Sequence, residues 1–280
     1  MAAIATGHIL AEIQNMRSDV LDSNGDLEYA RLLKNKTVAV VGPARTLVGK
    51  KQGRRIDSHD IVVRFNEFFD HIHLTSTPGD DVGTRGDVFY CNQVILRDKI
   101  LKREKPYHRE LFNKLSGMGT KYFVCTNNSL SFDKTGKPSA SCNKNDRGTI
   151  AEFKQLLSKY ETGIGLRVVH GASALLIKWL KGNWGRTGFV GVVDLLGFEI
   201  SRMYITGMTF YHGGGHLLSP STDVLHPLTN RDGSSSLSRS GQGHNSYLEL
   251  EMMRQLVRSF RDRIELDGDL STLLQTNMST

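Results

Sequence analysis

The run His244-Asn245-Ser246-Tyr247-Leu248-Glu249 opens an amphipathic stretch and holds a candidate for moving a proton. Histidine titrates near neutrality, so a neutral imidazole can take a proton from a hydroxyl. The same residues also fit a structural pattern. Ser246-x-x-Glu249 is a capping box, which satisfies the first N–H groups of a helix, and Glu249 then reads as a cap. His212 and His216 flank Gly213-Gly214-Gly215, and His226 lies eighteen residues before His244, followed by Pro227. His212 and His216 could ligate a metal, but no Cys or carboxylate stands with them at a strong metal-binding spacing. There is no convincing D-x-D after a strand, so no metal site is expected.

Two further stretches could hold an anion. Val38-Ala39-Val40-Val41 is an apolar run suited to a strand buried on both faces, and Gly42-Pro43 ends it. A basic connection with Arg45, Lys50, Lys51, Arg54 and Arg55 leads to a second strand, Ile61-Val62-Val63, which runs to Asn66. Strand, glycine turn, basic connection and strand is the layout of a mononucleotide-binding unit. Ligands of open α/β sheets sit beyond the carboxyl ends of strands, so Gly42 and Asn66 should lie near a site. Neither G-x-G-x-x-G nor G-x-x-x-x-G-K-[ST] is present, and on pattern alone an ordinary buried βαβ unit fits equally well. The second stretch is Thr187-Gly188, ahead of an apolar helical run. Thr187 is placed to cap that helix, whose N-terminus would offer N–H groups to a phosphate.

The elements that would carry these residues alternate. Residues 9–33 read as two helices broken at Asn24-Gly25, with Asp26 as cap, packed as a lid or brace. Strands are expected at 87–91, 122–126, 166–169 and 203–207. Helices are expected at 93–116, 151–160, 172–180, 189–200 and 246–264. Asn92 ends one strand, and Asn127, Asn128 and Ser129 end another, either as a ligand-contacting cluster or as a turn. This alternation predicts an α/β chain with a mostly parallel sheet. The organisation is an N-terminal helical extension (1–35), one domain (36–265) and a frayed tail (266–280). The polar stretches 133–148 and 211–243 read as loops, the second as a lid or disordered segment.

The chain has 280 residues, enough for one such domain with a substantial core. Its formal net charge of +7 suits an anionic partner (a nucleotide-sugar, a nucleic acid or an acidic membrane surface) or equally a generally basic solvated surface, and no Lys/Arg block suggests a nucleic-acid arm. No apolar run approaches the roughly 20 residues that cross a bilayer, and the first residues do not look like a signal peptide. Cys91, Cys125 and Cys142 cannot all pair within one chain and favour a reducing compartment. A cytoplasmic location is therefore expected.

The wording of these stretches resembles the eukaryotic-type sialyltransferases, glycosyltransferase family 29. V-V-G followed by I-D-S-H-D-x-V-V-R-x-N, with D-V-G-T-R further on, is similar to their large motif. Thr187-Gly188, an apolar helix and the strand ending at Gly207 resemble their small motif, and His244 with Glu249 their very small motif. The resemblance implies a GT-A-like, Rossmann-type α/β sheet, and a Golgi-lumen location if an anchor has been trimmed away. It implies inverting, metal-independent transfer of sialic acid from CMP-sialic acid to a glycan hydroxyl. No cofactor is implied beyond the CMP-sugar substrate, and no nucleic acid. His244 would be the catalytic base. Gly42, Pro43, Ala44, Arg45, Asn66, Asn92, Asn127, Thr187 and Gly188 would meet the donor. His212, His216 and His226 are candidates for the leaving group or acceptor, because the family's His-Tyr motif is not intact here. Pro43 stands where the family has Asn, and Gly185-Arg186 where it has Pro-Ser or Pro-Thr. Val38 and Ile200 occupy its disulfide positions, so burial replaces the cross-link. The alternatives are a transferase of another CMP-activated acidic sugar such as Kdo, or a nucleotide-binding module without catalysis.

Overall fold

The computed structural model describes residues 6–20, 24–66, 78–126, 144–169, 171–210 and 244–276. Two helices lead, α1 (Thr6–Val20) and α2 (Asn24–Leu33), then β1 (Thr37–Val41), α3 (Gly53–Asp57) and β2 (Ile61–Phe65). After α4 (Pro78–Val82) come β3 (Val88–Asn92), α5 (Gln93–Ile95), α6 (Lys105–Gly117) and β4 (Tyr122–Thr126). The chain continues through α7 (Lys144–Lys159), β5 (Gly165–Val169), α8 (Gly171–Trp179), α9 (Thr187–Leu196) and β6 (Arg202–Thr206). It closes with α10 (Ser246–Ser259), β7 (Ile264–Leu266) and α11 (Gly268–Thr276).

The strands form a seven-stranded sheet in the order β5-β4-β3-β2-β1-β6-β7, and every pairing is parallel. Both faces are covered, as parallel sheets require. On β1, Val38 and Val40 enter one apolar cluster with α1, α2, α8, α9 and α10, while Ala39 and Val41 enter the other with α6 and α7. The two-residue period of the strand sends neighbours to opposite faces. From β1 the chain winds outward to β5, then returns to place β6 on the other side of β1. The winding therefore reverses between β1 and β6, the position where open α/β sheets bind ligands.

The expected parallel α/β sheet is the fold observed, with several local corrections. The single helix expected over 93–116 is divided: α5 passes into a wider π-type turn (Leu96–Leu101) before α6 starts at Lys105. Asp26 lies within the first turn of α2, and its carboxylate meets the Arg167 guanidinium across the chain. The segment after residue 265 is not frayed as far as Thr276. β7 pairs with β6, and Leu270 and Leu274 of α11 are buried in the core. Val38 and Ile200 are buried in one apolar cluster. Cys91 and Cys125 are buried on facing positions of β3 and β4 and are not joined in a disulfide. Among the described residues no helix is long and apolar enough to cross a membrane.

A buried polar network joins β3, β5 and α9 beneath the helical layer. Arg167 Nη1 and Nη2 donate to the two carboxylate oxygens of Asp194 at 2.6 and 3.0 Å. The Tyr90 hydroxyl donates to the same carboxylate at 2.7 Å, and Tyr29 lies 3.0 Å from Tyr90. Burial works against the Arg167 charge, but Asp194 outweighs it and holds the guanidinium pKa above its usual value. Bidentate pairing of this kind fixes geometry as well as charge. It locks α9 onto the sheet, and α9 begins at Thr187-Gly188.

Candidate active site

Gly42 ends β1 and Gly207 ends β6, and the two backbones touch. A Cβ built on Gly42 would fall 2.2 Å from the Gly207 carbonyl oxygen. Gly207 adopts φ +66, a left-handed conformation that glycine takes without steric cost. The N–H groups of this turn are spoken for. Gly42 donates to Thr206 O at 2.8 Å, Ala44 donates to Gly207 O at 2.9 Å, and Pro43 has none. The turn expected to cradle a phosphate therefore offers shape rather than backbone donors.

The next strands place asparagines on the same edge. Asn66 follows β2 with φ +50, a conformation that Asn tolerates better than most residues. Its side-chain oxygen faces the N–H of Asn92, 3.4 Å away at the end of β3. Asn92 also caps α5, accepting from Ile95 N at 2.9 Å. Strands lie about 4.8 Å apart, so Asn92, Asn66 and Gly42 line a carboxyl edge about 10 Å long.

Met208 joins this edge to the second candidate stretch. Its side chain lies against Gly42 on one side and Gly188 on the other. The start of α9 is thereby brought to the β1–β6 reversal. The N-cap is Arg186, not Thr187, and it provides no side-chain cap; Thr187 is the first helical residue and is buried. A helix start without a side-chain cap keeps N–H groups directed at whatever lies beyond it.

His244, two residues ahead of α10, reaches the same segment. Its Nδ1 lies 2.8 Å from the Trp184 carbonyl oxygen. A carbonyl can only accept, so Nδ1 carries the proton and Nε2 keeps its lone pair. The His244 pKa is lowered below the ordinary histidine value. Burial is the main cause, Glu249 opposes it, Arg186 reinforces it and the Trp184 carbonyl opposes it. The imidazole is therefore neutral at pH 7, with one basic nitrogen.

Glu249 is not the capping-box partner of Ser246. Asn245 caps α10, accepting from Leu248 N at 3.0 Å. The fully buried Glu249 carboxylate instead accepts the Arg186 backbone N–H at 2.7 Å and is ion-paired with the Arg186 guanidinium. Five residues apart across the start of α10, His244 and Glu249 thus grip the same loop two residues apart, at 184 and 186.

Much of the polar content of the described residues between 57 and 87 is structural. Arg64 is wholly buried, donating to the carbonyls of Arg85 and Val82 at 2.7 Å each. Burial pushes its pKa down to about 9, with Asp57 and Asp87 opposing, so it stays charged at neutral pH. Asp57 accepts from the backbone of Thr84 and Arg85 at 2.8 and 3.1 Å. These residues tie α4 and its loop to β2. The basic connection is partly diverted as well. Arg55 pairs with Glu265 at 2.7 Å and stacks on Tyr204, while Lys50 pairs with Asp269 at 3.2 Å. Arg45 is exposed just beyond the β1 turn.

Sequence reasoning missed Asp267. Its carboxylate accepts from Thr206 Oγ1 at 2.7 Å, Gly207 N at 2.9 Å and Leu270 N at 2.7 Å. It caps α11 and pins the end of β6 in one stroke; an acidic residue just ahead of Gly268 was the available signal. Asn127, His212, His216 and His226 lie outside the described residues. Among the described residues no group of three or more His, Cys, Asp or Glu is placed to hold a metal ion.

The family model for glycosyltransferase family 29 (sialyltransferase) matches residues 7–118, which include β1 to β3 but not the 184–188 loop or His244. Comparison with curated proteins gives no match. Among solved structures, the sialyltransferase CstII from Campylobacter jejuni, in complex with cytidine-5'-monophosphate, aligns with a TM-score of 0.50. It is 11% identical, over 83% of this chain and 80% of that one, and the likeness is one of fold. A mammalian sialyltransferase aligns with a TM-score of 0.49 and 14% identity, over 94% of this chain and 78% of that one.

Proposed function

We propose that this chain is a member of glycosyltransferase family 29 and transfers sialic acid from CMP-sialic acid to a glycan hydroxyl, with His244 as the general base. The observation that carries the reading is the Nδ1–H bond from His244 to Trp184 O. It leaves a neutral Nε2 on a ring held against the loop that leads into the uncapped start of α9. That is the protonation state and location a base needs if the donor phosphate sits at that helix start.

The reaction is a single displacement. The acceptor O–H proton passes to His244 Nε2 as the acceptor oxygen bonds to the anomeric carbon. The bond from that carbon to the phosphate oxygen breaks, and CMP leaves with the electron pair. Attack opposite the leaving group inverts the anomeric centre. The N–H groups at Thr187 and Gly188 and the helix dipole favour the phosphate negative charge, which grows as the bond breaks. Asn66 and Asn92 would meet the nucleoside along the carboxyl edge, with Gly42, Pro43 and Ala44 shaping its floor. Arg45, exposed just beyond the β1 turn, would add a cation to meet the phosphate charge. The donor carries one phosphate, so helix and cation suffice for its charge and no metal is needed.

The test is release of CMP from CMP-sialic acid by the purified protein, with and without glycan acceptors. Acceptor-stimulated release that persists in EDTA is expected. Turnover of CMP-Kdo in its place would reassign the sugar. Binding of CMP with turnover of neither donor would overturn the enzymatic reading.

A further inference from the structure

We propose that Arg186 and Glu249 form a positioning pair for His244: their ion pair clamps the start of α9 to the start of α10 and so sets the Trp184 carbonyl on which the imidazole is aimed. The inference rests on the reading of His244 as the base.

Three observations meet at this loop. Glu249 is wholly buried, and it accepts both the backbone N–H and the guanidinium of Arg186. Trp184, two residues earlier, holds His244 Nδ1. Thr187, the next residue, opens α9. One ion pair therefore fixes both the base and the helix start proposed to face the phosphate. Arg186 is also the position at which this chain departs from the Pro-Ser or Pro-Thr of the family it resembles.

The pair also acts on the imidazole through space. Among the described residues, the charged groups acting on His244 are Glu249 in the first turn of the helix that follows it and Arg186 on the loop packed against it. Glu249 favours the protonated ring and Arg186 disfavours it. Removing them one at a time should therefore move His244 in opposite directions, which a purely mechanical brace would not do.

The experiment measures kcat/KM against pH, CMP affinity and thermal melting for R186Q, E249Q, the double variant R186Q/E249Q and H244A. Each single variant is expected to lose on the order of 10- to 100-fold in kcat, as misplacement of a reacting group does, with CMP affinity changed less. The acid limb should move to higher pH in R186Q and to lower pH in E249Q. In the double variant it should return towards the wild-type position. Lowered melting temperatures with an unmoved acid limb and normal kcat would overturn the pairing. If E249Q fails to fold, R186Q decides alone, because its side chain is partly exposed and an unmoved limb there is sufficient refutation. H244A separates the two levels of inference. Near-normal turnover by H244A removes the base itself, whereas an inactive H244A beside unchanged R186Q and E249Q removes only the positioning pair.

Discussion

Gly42 and Gly207 pack back to back where β1 and β6 end, so closely that the Gly42 position has no room for a side chain. The contact closes the reversal point of the sheet and lets Met208 reach from Gly42 to Gly188. Gly42→Ala would push a methyl group into the backbone carbonyl of Gly207, which cannot rotate aside. We expect a loss of about 1–3 kcal/mol or more in unfolding free energy, as overpacking of tight sites costs. CMP affinity should fall with it. Denaturant unfolding and calorimetry check both.

His244→Ala should lower transfer by on the order of 10²–10⁴-fold, the usual contribution of a general base, while CMP still binds. Asn66→Ala should do the reverse, weakening CMP first. The comparison is turnover at saturating donor beside CMP affinity. Near-normal turnover of the His244 variant would send the search for the base to His226 or His216.

The lowered pKa of His244 sets the sign of two pH effects. Activity should fall on the acid side with an apparent pKa below the ordinary histidine value of about 6.5. The unfolded chain, with the higher pKa, binds more protons between the two values, so stability rises with pH across that window. His244 thus contributes stability that is present above about 6.5 and lost as pH falls through the folded value. The check is melting temperature against pH for wild type and His244→Ala. The variant should lose less stability over that interval.

Glu249→Ala and Asn245→Ala separate a clamp from a cap. Asn245 carries the cap bond of α10, and its loss should cost about 1 kcal/mol. Glu249 is buried against Arg186, and removing one partner of such a pair costs about 3–5 kcal/mol; partial exposure of Arg186 favours the low end. Equal losses in urea unfolding would contradict the assignment.

The sequence by itself determined the parallel α/β architecture. Short apolar runs such as residues 38–41 and 122–126, ended by glycine or polar residues, mark doubly buried strands without help from the rest of the chain. It also placed Gly42, Asn66, Asn92, Thr187 and His244 at element ends, where ligands of such sheets are met. Tertiary structure decided what their neighbours do. Arg64, Asp57 and Arg85 read as motif residues, yet long-range packing turns them inward onto backbone carbonyls, N–H groups and each other. Glu249 read as a helix cap because the capping box is a local spacing. Its real partner, Arg186, lies sixty-three residues away and no local rule could pair them. Asp267 pins the end of β6 for the same reason. A side chain's period and cap pattern follow from its nearest neighbours in sequence. The burial that decides which charges must find each other exists only once the sheet is wound.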